Sequence, residues 1–138
     1  MQEATDNQNL GLAGELLVFE RERLRVHAEH GEQYVSQVVH VSLTEGDGAG
    51  YDIRSVRDTG SGITPYYLEV KTTSGDANTA FFISENEVNF AAANPQSFEL
   101  VRVHSLGNGK SKHYDYRLSG YELLGLPRTP VSYRVNVG

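Results

Sequence analysis

The spacing of hydrophobic and polar positions changes several times along this chain, and each change marks an element. Residues 10–28, LGLAGELLVFERERLRVHA, carry apolar side chains at helical spacing, with Asn9 placed to cap them. The first half of this helix is apolar nearly all round and predicts a buried helix. The second half mixes Glu20, Arg21, Glu22, Arg23 and Arg25 and predicts a solvated face with local ion pairs. The polar residues ahead of Asn9 are expected to form a flexible terminus.

Residues 34–43, YVSQVVHVSL, alternate with period two and predict the first strand, with Val39, Val41 and Leu43 on one face and His40 and Ser42 on the other. An acidic, glycine-rich loop follows, and its Glu45 and Asp47 lack the ligand spacing of a calcium-binding loop. Residues 50–74 then read as two strands joined near Gly60 and Ser61, with Asp58, Gly62 and Pro65 supplying turn chemistry. Phe81 to Ile83 predicts a short strand. Ser84 and Glu87 form a capping box that opens a helix closed by Asn94 and Pro95. Residues 98–104 form another alternating strand, and after a turn at Gly107 to Gly109 residues 112–118 return beside it. Residues 131–137 alternate again and predict a last strand. Helix, strands, helix and strands in this order predict an α/β (α+β) fold, a mixed sheet flanked by helices.

At 138 residues the chain is long enough for one domain with a real core, spanning 1–138. No apolar run approaches the ~20 residues of a membrane span. The N-terminus lacks the basic and apolar regions of a signal peptide, so a cytoplasmic location is expected. The absence of cysteine excludes disulfides, thiolate metal sites and cysteine nucleophiles. A net charge of −6 argues against strong stand-alone affinity for nucleic acid, because such binding is driven by Lys and Arg neutralising phosphates.

Candidate chemistry concentrates on the two strands of residues 50–74. Glu69 and Lys71, two apart, share a strand face, and the expected hairpin register sets Asp52 opposite Glu69. Paired strand positions hold their Cβ atoms roughly 4.5 to 5.5 Å apart, so two like charges there repel unless a cation joins them. Mg²⁺ suits such a pair, since it typically takes one or two carboxylates and completes its shell with water and phosphate oxygens. Lys71 beside the pair supplies an ammonium to orient an attacking water and offset charge building on a phosphate. The competing reading of this triplet is a cross-strand salt bridge on a solvated face. Glu15, inside the apolar half of the first helix with Leu12, Val18 and Phe19 at helical spacing, also needs a partner.

Asp52 followed by Glu69-Val70-Lys71 resembles the PD-(D/E)xK nuclease motif, with Tyr51 where the motif name has proline. More specifically, GYDI, YLEVKTT and FFISENEVNFA resemble the nuclease-like domain family found at the C-terminus of NO VEIN and in many bacterial proteins. The resemblance implies a restriction-endonuclease-like fold and a Mg²⁺-dependent nuclease, with Mn²⁺ able to substitute, acting on DNA in a restriction or defence setting. It implies that Asp52 and Glu69, aided by the Val70 carbonyl, hold the ion. Lys71 would orient water, and Glu15 from the first helix would complete the metal shell or orient Lys71. The alternative is a binding module for nucleic acid or protein that keeps the nuclease fold without turnover.

Outside that set, Thr73 offers a hydroxyl to a phosphate backbone. Lys110 and Lys112, with His113 and Arg117 and the interleaved Tyr114 and Tyr116, form the one locally basic patch. The same residues equally describe an exposed hairpin. A larger assembly that delivers the substrate, or a homodimer that cuts both DNA strands, would fit this chemistry; a membrane partner would not.

Overall fold

The computed structural model describes residues 2–107, 109, 112–132 and 135–138. A long helix α1 (Gln2–His30) opens the chain. A 3-10 turn (Glu32–Gln37), strand β1 (Val39–His40), one helical turn α2 (Val41–Thr44) and a second 3-10 turn (Asp47–Ala49) lead into β2 (Ile53–Asp58) and β3 (Ile63–Thr72). Helix α3 (Glu85–Ala93) carries the chain to β4 (Phe98–His104), and β5 (Tyr114–Ser119) and α4 (Gly120–Leu124) follow. The five strands lie side by side in chain order. β3 and β4 run parallel and every other pair antiparallel, giving the expected mixed sheet flanked by helices. A parallel pair cannot be joined by a tight turn, which is why α3 stands between β3 and β4.

The period-two pattern of β4 divides the core. Val101 and Val103 face α1, where they meet Val18, Val26, Ile53, Leu68 and Val70. Phe98 and Leu100 face the other way, onto Ala91 and Phe90 of α3 and Leu123 of α4. Among the described residues no helix is long and apolar enough to cross a membrane.

Helix α1 begins at Gln2 rather than near Leu10, and it is not buried all round. Among its described side chains the buried positions are Gly14, Val18, Glu22 and Val26, one stripe at a spacing of four, while Leu12 and Leu16 on other faces are about two-fifths exposed. Glu22, expected on a solvated face, is buried, and the Arg25 guanidinium meets both of its carboxylate oxygens (2.9 and 3.0 Å) and donates to the Val56 carbonyl. Gly14 is where this helix touches β3. A Cβ there would stand 1.9 Å from Thr72 Oγ1 and 2.9 Å from Thr72 Cβ. Gly14→Ala is therefore expected to destabilise the fold by roughly 1–3 kcal/mol despite the better helix propensity of alanine. A denaturant titration checks this, and an unchanged or raised midpoint would show that the helix has room to move.

Four expectations about local structure change. Residues 34–43 supply only the two-residue strand β1, because the Glu45 N–H returns to the Val41 carbonyl and the Thr44 hydroxyl to the His40 carbonyl, closing a helical turn. Pro65 lies within β3 opposite Val56, not in the turn. It is tolerated because pairing with β4 begins only at Tyr67, leaving β3 with one neighbour where the N–H is missing. Phe81 to Ile83 form no strand: Phe81 and Ile83 instead pack against the cluster of Ala91, Phe98, Leu100 and Leu123 on the α3 face. No strand occurs among the described residues of 131–138, where Val131, Val135 and Val137 are exposed and Tyr133 and Arg134 lie outside the described residues.

Candidate active site

The hairpin closes as its sequence requires. Asp58 accepts the Gly60 N–H (2.8 Å), Gly60 and Gly62 take positive φ, and Ile53 pairs with Leu68. Asp52 sits in the bend just ahead of β2 rather than inside it, yet the register extends to it, because its N–H donates to the Leu68 carbonyl (2.8 Å). Asp52 therefore faces Glu69, and its Oδ2 accepts the Val70 N–H at 2.8 Å.

Both carboxyl groups are nearly excluded from solvent, at 9% exposure for Asp52 and 2% for Glu69. Burial pushes the Asp52 pKa up to about 6, repulsion from Glu15 adds to the rise, and the Val70 N–H only partly opposes it. Burial, then the charge of Asp52, holds Glu69 well above the ordinary glutamate range, with Lys71 pulling the other way. Glu69 Oε2 is buried without a hydrogen-bond partner. Repulsion within such a pair favours keeping a proton until a cation takes its place.

Lys71 Nζ lies 3.2 Å from Glu69 and 3.0 Å from Glu87. Burial works against the ammonium, but the two carboxylates outweigh it and its pKa rises above the ordinary lysine value. Glu87 Oε1 also accepts the Ser84 N–H (2.9 Å), so one carboxylate both caps α3 and holds Lys71. Burial opposes the Glu87 charge, yet the Ser84 N–H and Lys71 together keep its pKa below the ordinary glutamate range. What fixes α3 over the lysine is aromatic packing one turn further on. The Phe90 ring lies 4.8 Å from Tyr51 and 5.0 Å from Tyr67, and residues 87, 90 and 91 share a helix face.

From the other layer, Glu15 Oε1 accepts the Ser42 hydroxyl and meets His40 Nε2, both at 2.7 Å. His40, in the short strand β1, is buried. The rise that Glu15 causes in Asp52 puts it in the same acidic cluster, but no hydrogen bond or ion pair among the described residues joins it to Lys71.

A family model described as Protein NO VEIN, C-terminal, matches residues 14–116 of this chain. The chain belongs to that family. No curated protein and no solved structure matches it. The NO VEIN C-terminal match supports a nuclease-like domain, and it spans Glu15, Asp52, Glu69, Lys71 and Glu87.

This NO VEIN C-terminal domain thus brings together four of the residues singled out in its sequence, Glu15, Asp52, Glu69 and Lys71. Val70 lies among them, and its described contact to the cluster is made by its N–H rather than its carbonyl. Thr73 lines a cavity next to Lys71. Lys112 is exposed ahead of the edge strand β5, two strands across the sheet, and Lys110 lies outside the described residues. Arg117 of the same basic patch is already paired with Glu99 at 3.1 Å.

Among the described residues no three His, Asp or Glu side chains form a ready-made metal cage. Two buried carboxylates with raised pKa values and an unpartnered oxygen still fit a hard divalent cation that keeps part of its water shell. Glu87 was the site residue hidden in the sequence, because the capping box fully accounts for it as a residue type, while His40 and Ser42 signal themselves by sharing a face in the period-two run.

Glu87 permits a clean separation of its two roles. Glutamine at this position still accepts the Ser84 N–H but carries no charge, so Glu87→Gln is expected to keep α3 and lower the Lys71 pKa, read by side-chain NMR. Glu87→Ala should in addition lose about 1 kcal/mol of stability with the cap. An unshifted Lys71 in the glutamine variant would mean that Glu69 alone sets its charge.

Proposed function

We propose that this domain is a Mg²⁺-dependent phosphodiesterase acting on DNA, with Mn²⁺ able to substitute, in a restriction or defence setting. The observation that carries the reading is the buried pair Asp52 and Glu69, both uphill in pKa, with the Lys71 ammonium against one of them. Asp52 and Glu69 would hold the ion. When bound, the ion supplies a water of lowered pKa and shields the phosphate from the acidic surface.

The chain's own residues supply the rest. Lys71, held protonated by Glu69 and Glu87, acts as a donor and fixed charge rather than as a base. Glu87 keeps that ammonium in place. Glu15, fixed by His40 and Ser42, adds negative charge beside Asp52 and so strengthens the demand for a cation. Burial of the pair excludes bulk water, which makes each of these charges count for more.

The closed Glu69–Lys71–Glu87 arrangement also favours a second reading, a binding module whose lysine only balances buried acids. Calorimetry with Mg²⁺ and Mn²⁺ on the wild type and Asp52→Asn, followed by plasmid nicking with the wild type and Lys71→Ala, separates the two. Ion binding without nicking selects the module, and absence of both defeats the metal-dependent reading.

A further inference from the structure

Beside the end of β3 a cavity of about 340 Å³ is lined by Lys71, Thr73, Phe82 and Arg102 among others, and among the described residues no Asp or Glu lines it. On a chain of net charge −6 this lining calls for an account, because Lys71 has its carboxylates in Glu69 and Glu87 whereas Arg102 has none among the described residues. Arg102 is the register partner of Lys71 across the parallel pair β3 and β4, so both side chains leave the same face of the sheet.

Arg102 is only 2% exposed. Its Nη2 donates to the Thr79 and Ala80 carbonyls (3.0 and 3.4 Å), and its guanidinium lies over the Phe81 ring. Its Nε is buried without a partner. Among the described residues Arg102 forms no ion pair; neither do Arg54, Arg57 and Arg128, but those are half-buried or exposed, whereas Arg21, Arg23, Arg25, Lys71 and Arg117 are all paired. Carbonyl partners satisfy donors but leave the charge uncompensated, and a buried unpaired charge is costly. Burial accordingly lowers the Arg102 pKa. Thr73 Oγ1 accepts the Gly75 N–H (3.0 Å), which leaves its own hydrogen free to donate to an anion.

We propose that this cavity is a phosphate subsite, in which Arg102 and Thr73, beside the already paired Lys71, receive the anionic oxygens of a nucleic-acid backbone phosphate neighbouring the one to be cleaved. Assigning the phosphate to nucleic acid rests on the nuclease reading; the anion site itself does not. Arginine is suited to this role because its planar fork presents several donors to phosphate oxygens at once.

The test uses metal-free full-length protein titrated by NMR and calorimetry with inorganic phosphate and, separately, with a 5′-phosphorylated thymidine dinucleotide. Saturable binding of both is expected, tighter for the dinucleotide, and weakened roughly tenfold or more in Arg102→Gln. Because Arg102 also pins the 79–80 carbonyls, its variant risks misfolding. Phe82, 77% exposed on the cavity wall, provides the second variant: Phe82→Glu adds a carboxylate at a position that folding does not need, and it too should weaken binding. No saturable phosphate binding, or wild-type affinity in a folded Phe82→Glu, overturns the subsite. Equal affinity for phosphate and dinucleotide overturns its assignment to a nucleic-acid backbone. Phosphate binding in a protein that never nicks DNA would leave the subsite standing and remove the nuclease reading, whereas nicking without phosphate binding would do the reverse.

Discussion

Lys71→Ala is expected to lower metal-dependent nicking on the order of 10²- to 10³-fold, the usual loss when one preorganised donor to a developing negative charge is removed. The variant should bind Mg²⁺ at least as well as the wild type, since deleting a cation next to Glu69 makes the acidic pair more attractive to another cation. That pairing of outcomes distinguishes a role in turnover from a role in holding the ion. Because Glu69 and Glu87 both pull the lysine pKa up, the ammonium stays charged through neutral pH, and the loss should be nearly independent of pH between about 6 and 9. A loss that grows with falling pH would instead point to a group that titrates, and lysine would not be it. Melting temperatures of the two proteins guard against a trivial explanation, because the variant leaves Glu69 and Glu87 without their shared counterion. Nicking that survives the substitution undiminished sinks the assigned role.

What the sequence reveals of this fold follows from how locally each feature is determined. The Asp58-to-Gly62 turn fixes the hairpin register through neighbouring residues alone, and with it the confrontation of Asp52 and Glu69. Capping at Ser84 and alternation in residues 98–104 are equally local, and both elements appear where their patterns put them. Residues 34–43 fail for the opposite reason. Their apolar period suits a strand, but Val38 and Val41 are buried around a tight helical turn, and the Ser42 N–H is taken by the Asp52 carbonyl. The first half of helix α1 reads as apolar nearly all round because composition does not reveal which face meets the sheet: the stripe from Gly14 to Val26 is buried, while Leu12 and Leu16 stay partly exposed. Glu87 is hidden by a more general difficulty: a residue with one sufficient local explanation gives no sign of a second, long-range one. Arg102 is similar, since alternation placed it on the Phe98 and Leu100 face but could not show that its partners there are the Thr79 and Ala80 carbonyls rather than a carboxylate.

Asp52→Asn is expected to make the metal-free protein more stable at neutral pH while removing its response to Mg²⁺. The native fold raises the Asp52 pKa to about 6 from an ordinary 3.8, so the folded state binds that proton more tightly than the unfolded chain. Stability from this group is therefore fully present below pH 3.8 and declines as pH rises towards 6, by roughly 3 kcal/mol at most. Asparagine has no such decline. Its side-chain oxygen can still accept the Val70 N–H, although a neutral acceptor gives up about 1 kcal/mol relative to the carboxylate. The net gain above pH 6 is then about 1–2 kcal/mol, or several degrees in melting temperature for a domain of this size. Below pH 4 the order should reverse or vanish, because the wild-type carboxyl is then protonated as well. With Mg²⁺ at a hundred times its dissociation constant the wild type should gain about 2.7 kcal/mol and the variant almost none, so the ranking at neutral pH inverts when the ion is added. Thermal melts across pH 3 to 8, with and without Mg²⁺, read all of this from one pair of proteins. An asparagine variant that is less stable at pH 7 without metal would mean that Asp52 is held by its neighbours rather than strained against them, and the case for a cation between it and Glu69 would lose its electrostatic basis.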